Sequence, residues 1–292
     1  MDAADLYLSL LKKSILNELY IENEARLVYY AICAAGQRMP DPIVVREITT
    51  RRPDILAKLR ETRTDGRVST FFWDVPFHDG SVQNLNLRNV TEFYQSMIGR
   101  TRLNNIHWLL DRVVADGIPG DFIETGVWRG GATLLMRGYL AAHNITDRKV
   151  WVADSFAGLP VPSHPADAGY DFSAAVAPVL AVSRDEVEDL FRRHDLLDDQ
   201  VEFLEGWFCD TLPNAPIGRL ALVRLDGDLY ESTLDAISAL YDKLSPGGFV
   251  IVDDYNDFAP CRRAITEFRE SRGIMSELHS VDWTAVYWRK VA

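Results

Sequence analysis

Residues 121–160 read DFIETGVWRGGATLLMRGYLAAHNITDRKVWVADSFAGLP, and this stretch decides the fold. An apolar run of strand length, 121–125, gives way to glycines at Gly126, Gly130 and Gly131. A helical segment follows over about 131–143, and a second strand-like run, 149–153, ends in Asp154-Ser155. Strand, loop, helix and strand in that order make a βαβ unit, whose two strands run parallel. Downstream, strand-like runs at 200–204, 219–225 and 248–252 alternate with helical segments at about 184–194, 231–244 and 260–272. Pro246-Gly247-Gly248 reads as a turn into the fifth strand. The pattern predicts an α/β fold with a mostly parallel sheet, strand order 3-2-1-4-5, and helices on both faces. The final run HSVDWTAVYWRK is expected to close as a hairpin at one sheet edge.

Upstream the pattern is helical and irregular. Leu8, Leu11, Ile15, Leu16 and Leu19 fall at helical spacing, and residues 92–116 read as one amphipathic helix with Phe93, Ile98, Leu103, Ile106, Leu109, Leu110 and Val113 on its apolar side. Residues 46–90 begin basic and then cluster Phe71, Phe72, Trp73, Phe77 and His78 among Gly, Asp and Pro. That stretch is read as a long ordered loop or lid, since long loops in compact enzymes are usually functional or disordered. The alternative is an aromatic plug over the core. A helical N-terminal extension over 1–90 and a main domain over 91–292 are expected.

The net charge of −12 over 292 residues argues against a protein that coats phosphate backbones or anionic membranes. No apolar run approaches the roughly 20 residues that span a bilayer. Cys33, Cys209 and Cys261 are widely spaced and odd in number, which suits a reducing cytoplasm. The start MDAADLYLSLLKKS has acids before its apolar residues, the reverse of a secretory signal.

The glycine loop sits at the carboxyl end of the first strand, where open α/β sheets bind ligands. It is not the dinucleotide fingerprint G-x-G-x-x-G, because Trp128 stands two residues after Gly126. Glu124, just ahead of the loop, suits a ligand with an ammonium or sulfonium group, and Asp154 suits a ribose diol. Acid, glycines and a second acid at the next strand end are the arrangement expected for S-adenosylmethionine. The fourth strand ends in Leu225-Asp226-Gly227-Asp228 and the fifth in Val252-Asp253-Asp254-Tyr255. In the expected strand order Asp226, Asp253 and Asp254 converge on the same rim. Close carboxylates repel unless protonated or joined by a cation, and an all-oxygen set suits Mg²⁺. The alternative is that such acids cap the next helix. The stretch 156–183, with Pro160, Pro162, Pro165, Tyr170 and Phe172, is expected to be a lid or a packing insertion at an oligomer contact.

At these residues the chain resembles the S-adenosylmethionine-dependent O-methyltransferases, above all the macrocin O-methyltransferase (TylF-like) family that methylates sugar hydroxyls in antibiotic biosynthesis. The resembling segments are RLNN (102–105), ETGVWRGG (124–131), VWVADSFAGLP (150–160), LLDDQVEFLEGWFCDTLP (196–213), LDGDLYESTLD (225–235), LSPGGFVIVDDY (244–255) and VYWR (286–289). The resemblance implies a Rossmann-like class I methyltransferase sheet of seven strands, bound Mg²⁺, a sugar or glycoside substrate and a homo-oligomer. It assigns Glu124, Gly126 and Trp128 to the methionine end of the cofactor, joined there by Met97 and Ile98. Asp154 with Ser155 would take the ribose, and Gly206-Trp207 would flank adenine. Asp226, Asp253 and Asp254 would hold the metal, with Asp226 also the general base. Catechol-type relatives place a lysine base three residues after the first metal acid, where this chain has Leu229. His164 is the alternative base. Two other readings compete: a nicotinamide-dependent dehydrogenase, which needs the missing fingerprint, and a non-catalytic binding protein of the same fold, which has no need to keep all five acids.

Overall fold

The computed structural model describes residues 2–51, 53–67, 70–88 and 93–291. They form two compact units, Met1–Leu8 with Arg102–Ala292, and Ser9–Thr101.

Helix α1 (Ala3–Ile15) runs from the first unit into the second, which holds α2 (Ile21–Ala35), α3 (Pro42–Arg46), α4 (Ile48–Arg51), α5 (Pro53–Asp65), β1 (Thr70–Pro76) and β2 (Val82–Arg88). The loop expected over 46–90 is therefore corrected: its described part carries α4, α5 and an antiparallel hairpin. Two sequence signals explain the hairpin. Trp73, Val75 and Phe77 alternate into a core with Ile21, Tyr29, Leu56 and Leu59, while Asp74 faces solvent. Asp79-Gly80 then turns the chain, with Gly80 at φ +79° and the Phe77 N–H donating to the Ser81 carbonyl at 2.9 Å. Trp73 and Phe77 are thus core residues of this unit itself rather than a plug laid over a core; the side chains of Phe71 and Phe72 lie outside the described residues. The Tyr29 hydroxyl locks the strand end by donating to the Pro76 carbonyl at 2.6 Å.

Helix α6 (Gly99–Ala115) begins seven residues later than the periodicity suggests and passes into the larger unit. There the chain continues as β3 (Asp121–Thr125), α7 (Gly131–Ala142), β4 (Val150–Asp154), α8 (Arg184–Arg193), β5 (Val201–Glu205), α9 (Phe208–Thr211), β6 (Leu220–Leu225), α10 (Tyr230–Leu240), β7 (Leu244–Val252), α11 (Ala259–Ser271), β8 (His279–Ser280) and β9 (Val286–Arg289). Seven strands form one sheet in the order β5-β4-β3-β6-β7-β9-β8, and β3 to β7 pair in parallel. The predicted inner order and terminal hairpin both hold, with β9 antiparallel to β7 and β8 outermost. Pro246-Gly247-Gly248 lies within β7 as a bulge rather than before it, since the register shifts between the Leu220–Leu244 and Leu222–Phe249 pairs.

Strand alternation sorts the two faces of the sheet. Ile123, Ala153, Val223, Leu225, Val250 and Val252 pack with Ile237 and Leu240 of α10 and Ile265 and Phe268 of α11. Residues of the other parity, Phe122, Val152, Leu222 and Ile251, are also buried, as helices on both faces require. Glu124, Arg224 and Asp253 share that second parity.

Candidate active site

The carboxyl ends of the parallel strands form one rim, because the ladder continues past each strand end. The Gly126 N–H donates to Ala153 O, Gly206 N–H to Asp154 O, Asp226 N–H to Thr125 O and Asp253 N–H to Leu225 O, each at 2.9 Å. The chain reverses direction across the sheet between β3 and β6, so the rim lies at a topological switch point, where such sheets bind ligands. Gly126 is obligatory there. Its φ is +86°, and an added Cβ would fall 1.8 Å from the Asp226 carbonyl oxygen. Backbone contact between β3 and β6 thus brings the glycine loop against the first acid of the Asp226-Gly227-Asp228 turn.

On the glycine-loop side, Trp128 takes a left-handed conformation with φ +48°, an uncommon one for a bulky residue. Its indole N–H donates to the Val179 carbonyl at 2.9 Å, and the Arg129 guanidinium lies over its ring. Asp154 accepts from the Val127 N–H at 2.7 Å and the Phe156 N–H at 2.8 Å, so its carboxylate ties the two loops together. Burial nevertheless pushes its pKa up. The Ser155 hydroxyl donates to Gly158 O at 2.7 Å and shapes the turn. Gly206 continues β5, and Trp207 after it is 41% exposed, a flat surface at the far end of the row. Met97 and Ile98 belong to the Ser9–Thr101 unit, immediately ahead of α6.

The acid side is more tightly wired than expected. Asp226, Asp253 and Asp254 each offer an oxygen within 4.8 Å of the others. The buried guanidinium of Arg224 reaches three acids: Nη1 donates to Glu124 Oε1 and, at 2.6 Å, to Asp226 Oδ2, and Nη2 donates to Asp253 Oδ1. Arg102 from α6 donates to the other Asp253 oxygen and, at 2.9 Å, to Asp282. Burial raises the Glu124 carboxyl to about 8 despite Arg224. Asp228 is pushed up to about 7 by burial and by the negative charges of Asp226 and Asp253. Burial and the neighbouring acids push Asp254 up as well. Asp254 Oδ2 is buried with no hydrogen-bond partner, a cost unless something positive meets it. A carboxylate has about four lone-pair sites, so the arginine contacts of Asp253 leave room for a cation. The set therefore fits a hard divalent ion.

The stretch 156–183 is ordered and pinned at several points. Asp167 is buried and accepts from the Tyr230 N–H at 2.6 Å and the Glu231 N–H at 3.3 Å, capping α10 from outside its own chain segment. His164 stacks on Tyr230 at 4.4 Å, and its Nδ1 accepts from the Ala166 N–H at 3.1 Å, which commits the ring to packing. Leu229, at the catechol-type base position, is buried at the N-cap of α10. Tyr170, Phe172 and Phe258 form an aromatic trio, and the Phe258 N–H donates to the Asp254 carbonyl at 2.9 Å, so an aromatic surface adjoins the acid cluster.

Arg224, Arg102 and Asp167 were not expected from the sequence. One signal was available for the first: a lone charge inside the apolar run LALVRL, which a buried strand tolerates only when it is paired.

A family model described as macrocin-O-methyltransferase (TylF) matches residues 4–290. The chain is 53% identical over 198 residues to demethyldecarbamoylnovobiocin O-methyltransferase of Streptomyces niveus, covering 67% of this chain and 75% of that protein. It is 48% identical over 232 residues to the 8-demethyl-8-(2,3-dimethoxy-alpha-L-rhamnosyl)-tetracenomycin-C 4'-O-methyltransferase of Streptomyces olivaceus, covering 78% and 87%. Among solved structures, the O-methyltransferase NovP superposes with a TM-score of 0.76 at 39% identity, over 99% of this chain and 100% of that one.

Proposed function

The chain belongs to the macrocin-O-methyltransferase (TylF) family and is an O-methyltransferase, and on that premise we propose that it transfers a methyl group from S-adenosylmethionine to a sugar hydroxyl of a natural-product glycoside or nucleotide-linked deoxysugar in antibiotic biosynthesis, assisted by Mg²⁺. The observation that carries this reading is the shared rim. Glu124, Gly126 and Asp154 lie on one side of the β3–β6 switch point and Asp226, Asp253 and Asp254 on the other, joined through the Asp226 N–H to Thr125 O bond. The names of the Streptomyces relatives, one of them acting on a rhamnosyl compound, support a glycoside acceptor.

In this reading Glu124 and the glycine loop receive the cationic methionine end, Asp154 and Ser155 the ribose, and Gly206-Trp207 the adenine. Asp226, Asp253 and Asp254 hold Mg²⁺, which when bound lowers the pKa of an acceptor hydroxyl and orients it. Positioning by the rim supplies much of the remaining rate, since well-oriented neighbours gain roughly 7–11 kcal/mol. Asp226 accepts the hydroxyl proton. It is the accessible member of the acid set, with 24% of its side chain exposed against 4% for Asp253, whereas His164 is committed to Tyr230. The aromatic trio beside Asp254 and the pinned 156–183 stretch limit water at the reacting atoms.

We place the enzyme in the cytoplasm as a homo-oligomer. Its cysteines are free, and no helix among the described residues is long and apolar enough to cross a membrane. The test is a mass-spectrometric screen of glycosides and nucleotide sugars, with S-adenosylmethionine, for a gain of one methyl group that chelation abolishes. No methylated product, together with no S-adenosylmethionine binding by calorimetry, overturns the reading. Asp226→Asn at saturating Mg²⁺ is expected to lose about 10²–10⁴ in turnover; near-normal turnover would refute the base role.

A further inference from the structure

We propose that Arg224 is a positioning residue that organises the cofactor-side acid Glu124 and the cation-side acids Asp226 and Asp253 as one unit, so that both ligand sites depend on it; the inference rests on the function proposed above. In the parallel register Glu124 and Arg224 are direct partners across β3 and β6, so the guanidinium rises from the strand beside the acid it serves. Its Nη1 is shared by Glu124 and Asp226 and its Nη2 goes to Asp253, all from a side chain that is 1% exposed. The row continues through Asp253 to Arg102 and Asp282, so buried charges alternate in sign from one side of the rim to the other.

Removing Arg224 would take from Glu124 and Asp226 the cation they share and leave Asp253 with Arg102 alone, and under-compensated buried charges force protonation or rearrangement. The fork geometry matters as well as the charge. A planar guanidinium can address separate acids with its two nitrogens, whereas a lysine ammonium is one point charge. Arg224 also leaves Glu124 Oε2 without a hydrogen-bond partner, as Asp254 Oδ2 is. Each side of the row therefore keeps an oxygen for a ligand while its inner oxygens are held.

The test uses binding rather than turnover. S-adenosylhomocysteine is titrated calorimetrically, and Mn²⁺, as a paramagnetic stand-in for Mg²⁺, by electron spin resonance, on wild type and on Arg224→Met, Arg224→Lys, Glu124→Gln and Asp254→Asn. Glu124→Gln is expected to weaken the nucleoside alone and Asp254→Asn the cation alone. Arg224→Met is expected to weaken both by about tenfold or more. Arg224→Lys should recover part of one affinity without restoring both. A merely structural role would lower the melting temperature and leave both affinities within about twofold; that result in folded Arg224→Met overturns the proposal. Where Arg224→Met does not fold, Arg224→Lys decides, and wild-type affinities for both ligands overturn it. Wild type that binds neither probe defeats the functional reading along with the inference.

A different cluster carries a second inference. His107 and Asp111 stand one turn apart on α6, and His143 ends α7, with one ligand atom of each within 4.8 Å of the others. Tyr139 packs among them. Its ring meets His107 edge-on at 5.6 Å and lies 4.4 Å from His143, and its hydroxyl donates to Asp111 Oδ1 at 3.0 Å. We infer that this is a site for a divalent transition ion, Zn²⁺, Ni²⁺ or Cu²⁺, that clamps α6 to α7. Two imidazoles and a carboxylate select those ions over Mg²⁺, and a hydrogen bond from outside is the usual device for orienting a ligating carboxylate. With Mg²⁺ saturating, calorimetry should show wild type binding one Zn²⁺ equivalent that the His107→Ala, His143→Ala double variant lacks, and Zn²⁺ should raise the melting temperature of wild type only. Equal Zn²⁺ stoichiometry in the two proteins, or no Zn²⁺ binding by wild type, overturns the site.

Discussion

Asp167→Ala is the most informative single perturbation of the scaffold. The first turn of α10 has an apolar N-cap residue, Leu229, with no side-chain hydrogen bond of its own. The missing acceptor comes instead from Asp167, whose two oxygens meet the Tyr230 and Glu231 N–H groups. Loss of an N-cap acceptor costs about 0.5–2 kcal/mol. Loss of a partly buried anion from a helix N-terminus adds about 0.3–1 kcal/mol and at most about 2. The sum for Asp167→Ala is about 1–3 kcal/mol, and a chain this size shifts by about 2–4 °C per kcal/mol, so a fall of about 2–12 °C is expected. Asp167→Asn keeps an acceptor and loses the charge, and should lie between the two. The same bonds hold the 156–183 stretch over the Asp226–Tyr230 turn, so limited proteolysis between Pro160 and Phe172 should speed up in parallel. Calorimetric melting and timed proteolysis check both. An Asp167→Ala melting point within about 1 °C of wild type, with unchanged proteolysis, would show that the cap is not what anchors this stretch.

The other expectations concern different parts of the molecule. Glu124 titrates near 8 when folded against an ordinary 4.5, so the native state holds the extra proton between those values and stability falls as pH rises through that window; melting of ligand-free Glu124→Gln should fall less steeply across it, and identical slopes would contradict the assignment. Trp128→Phe keeps the ring but removes the indole N–H bond to Val179, worth about 0.5–1.5 kcal/mol, and should accelerate proteolysis near residue 179 with little effect on global melting. Trp73→Ala empties the core of the Ser9–Thr101 unit and is expected to cost about 3–5 kcal/mol there, read as lost hydrogen-exchange protection in α2 and α5 with the sheet unaffected.

Much of the fold was legible because its signals are local. The strand β3 matches its sequence-read bounds, and α7, α8, α10 and α11 begin within a residue of expectation, because apolar period and glycine punctuation both act within a turn or two of chain; the single turn α9 was not expected. The Asp-Gly turn and alternating residues of the β1–β2 hairpin were equally local but were read as loop composition. The acids Glu124, Asp154, Asp226, Asp253 and Asp254 were legible for a topological reason: residues at the carboxyl ends of parallel strands share a rim once the strand order is known.

By itself, then, the sequence determined the main alternation of strands and long helices from β3 onward, the inner strand order and which acids stand at the rim. Only the tertiary structure decided how those acids are balanced. Arg224 meets Glu124 across 100 positions of chain and Arg102 meets Asp253 across 151, while Asp167 caps a helix that starts 63 residues later. No periodicity encodes such pairs. They form because sheet register and burial bring particular charges within reach in a medium where an unpaired charge is too costly to leave.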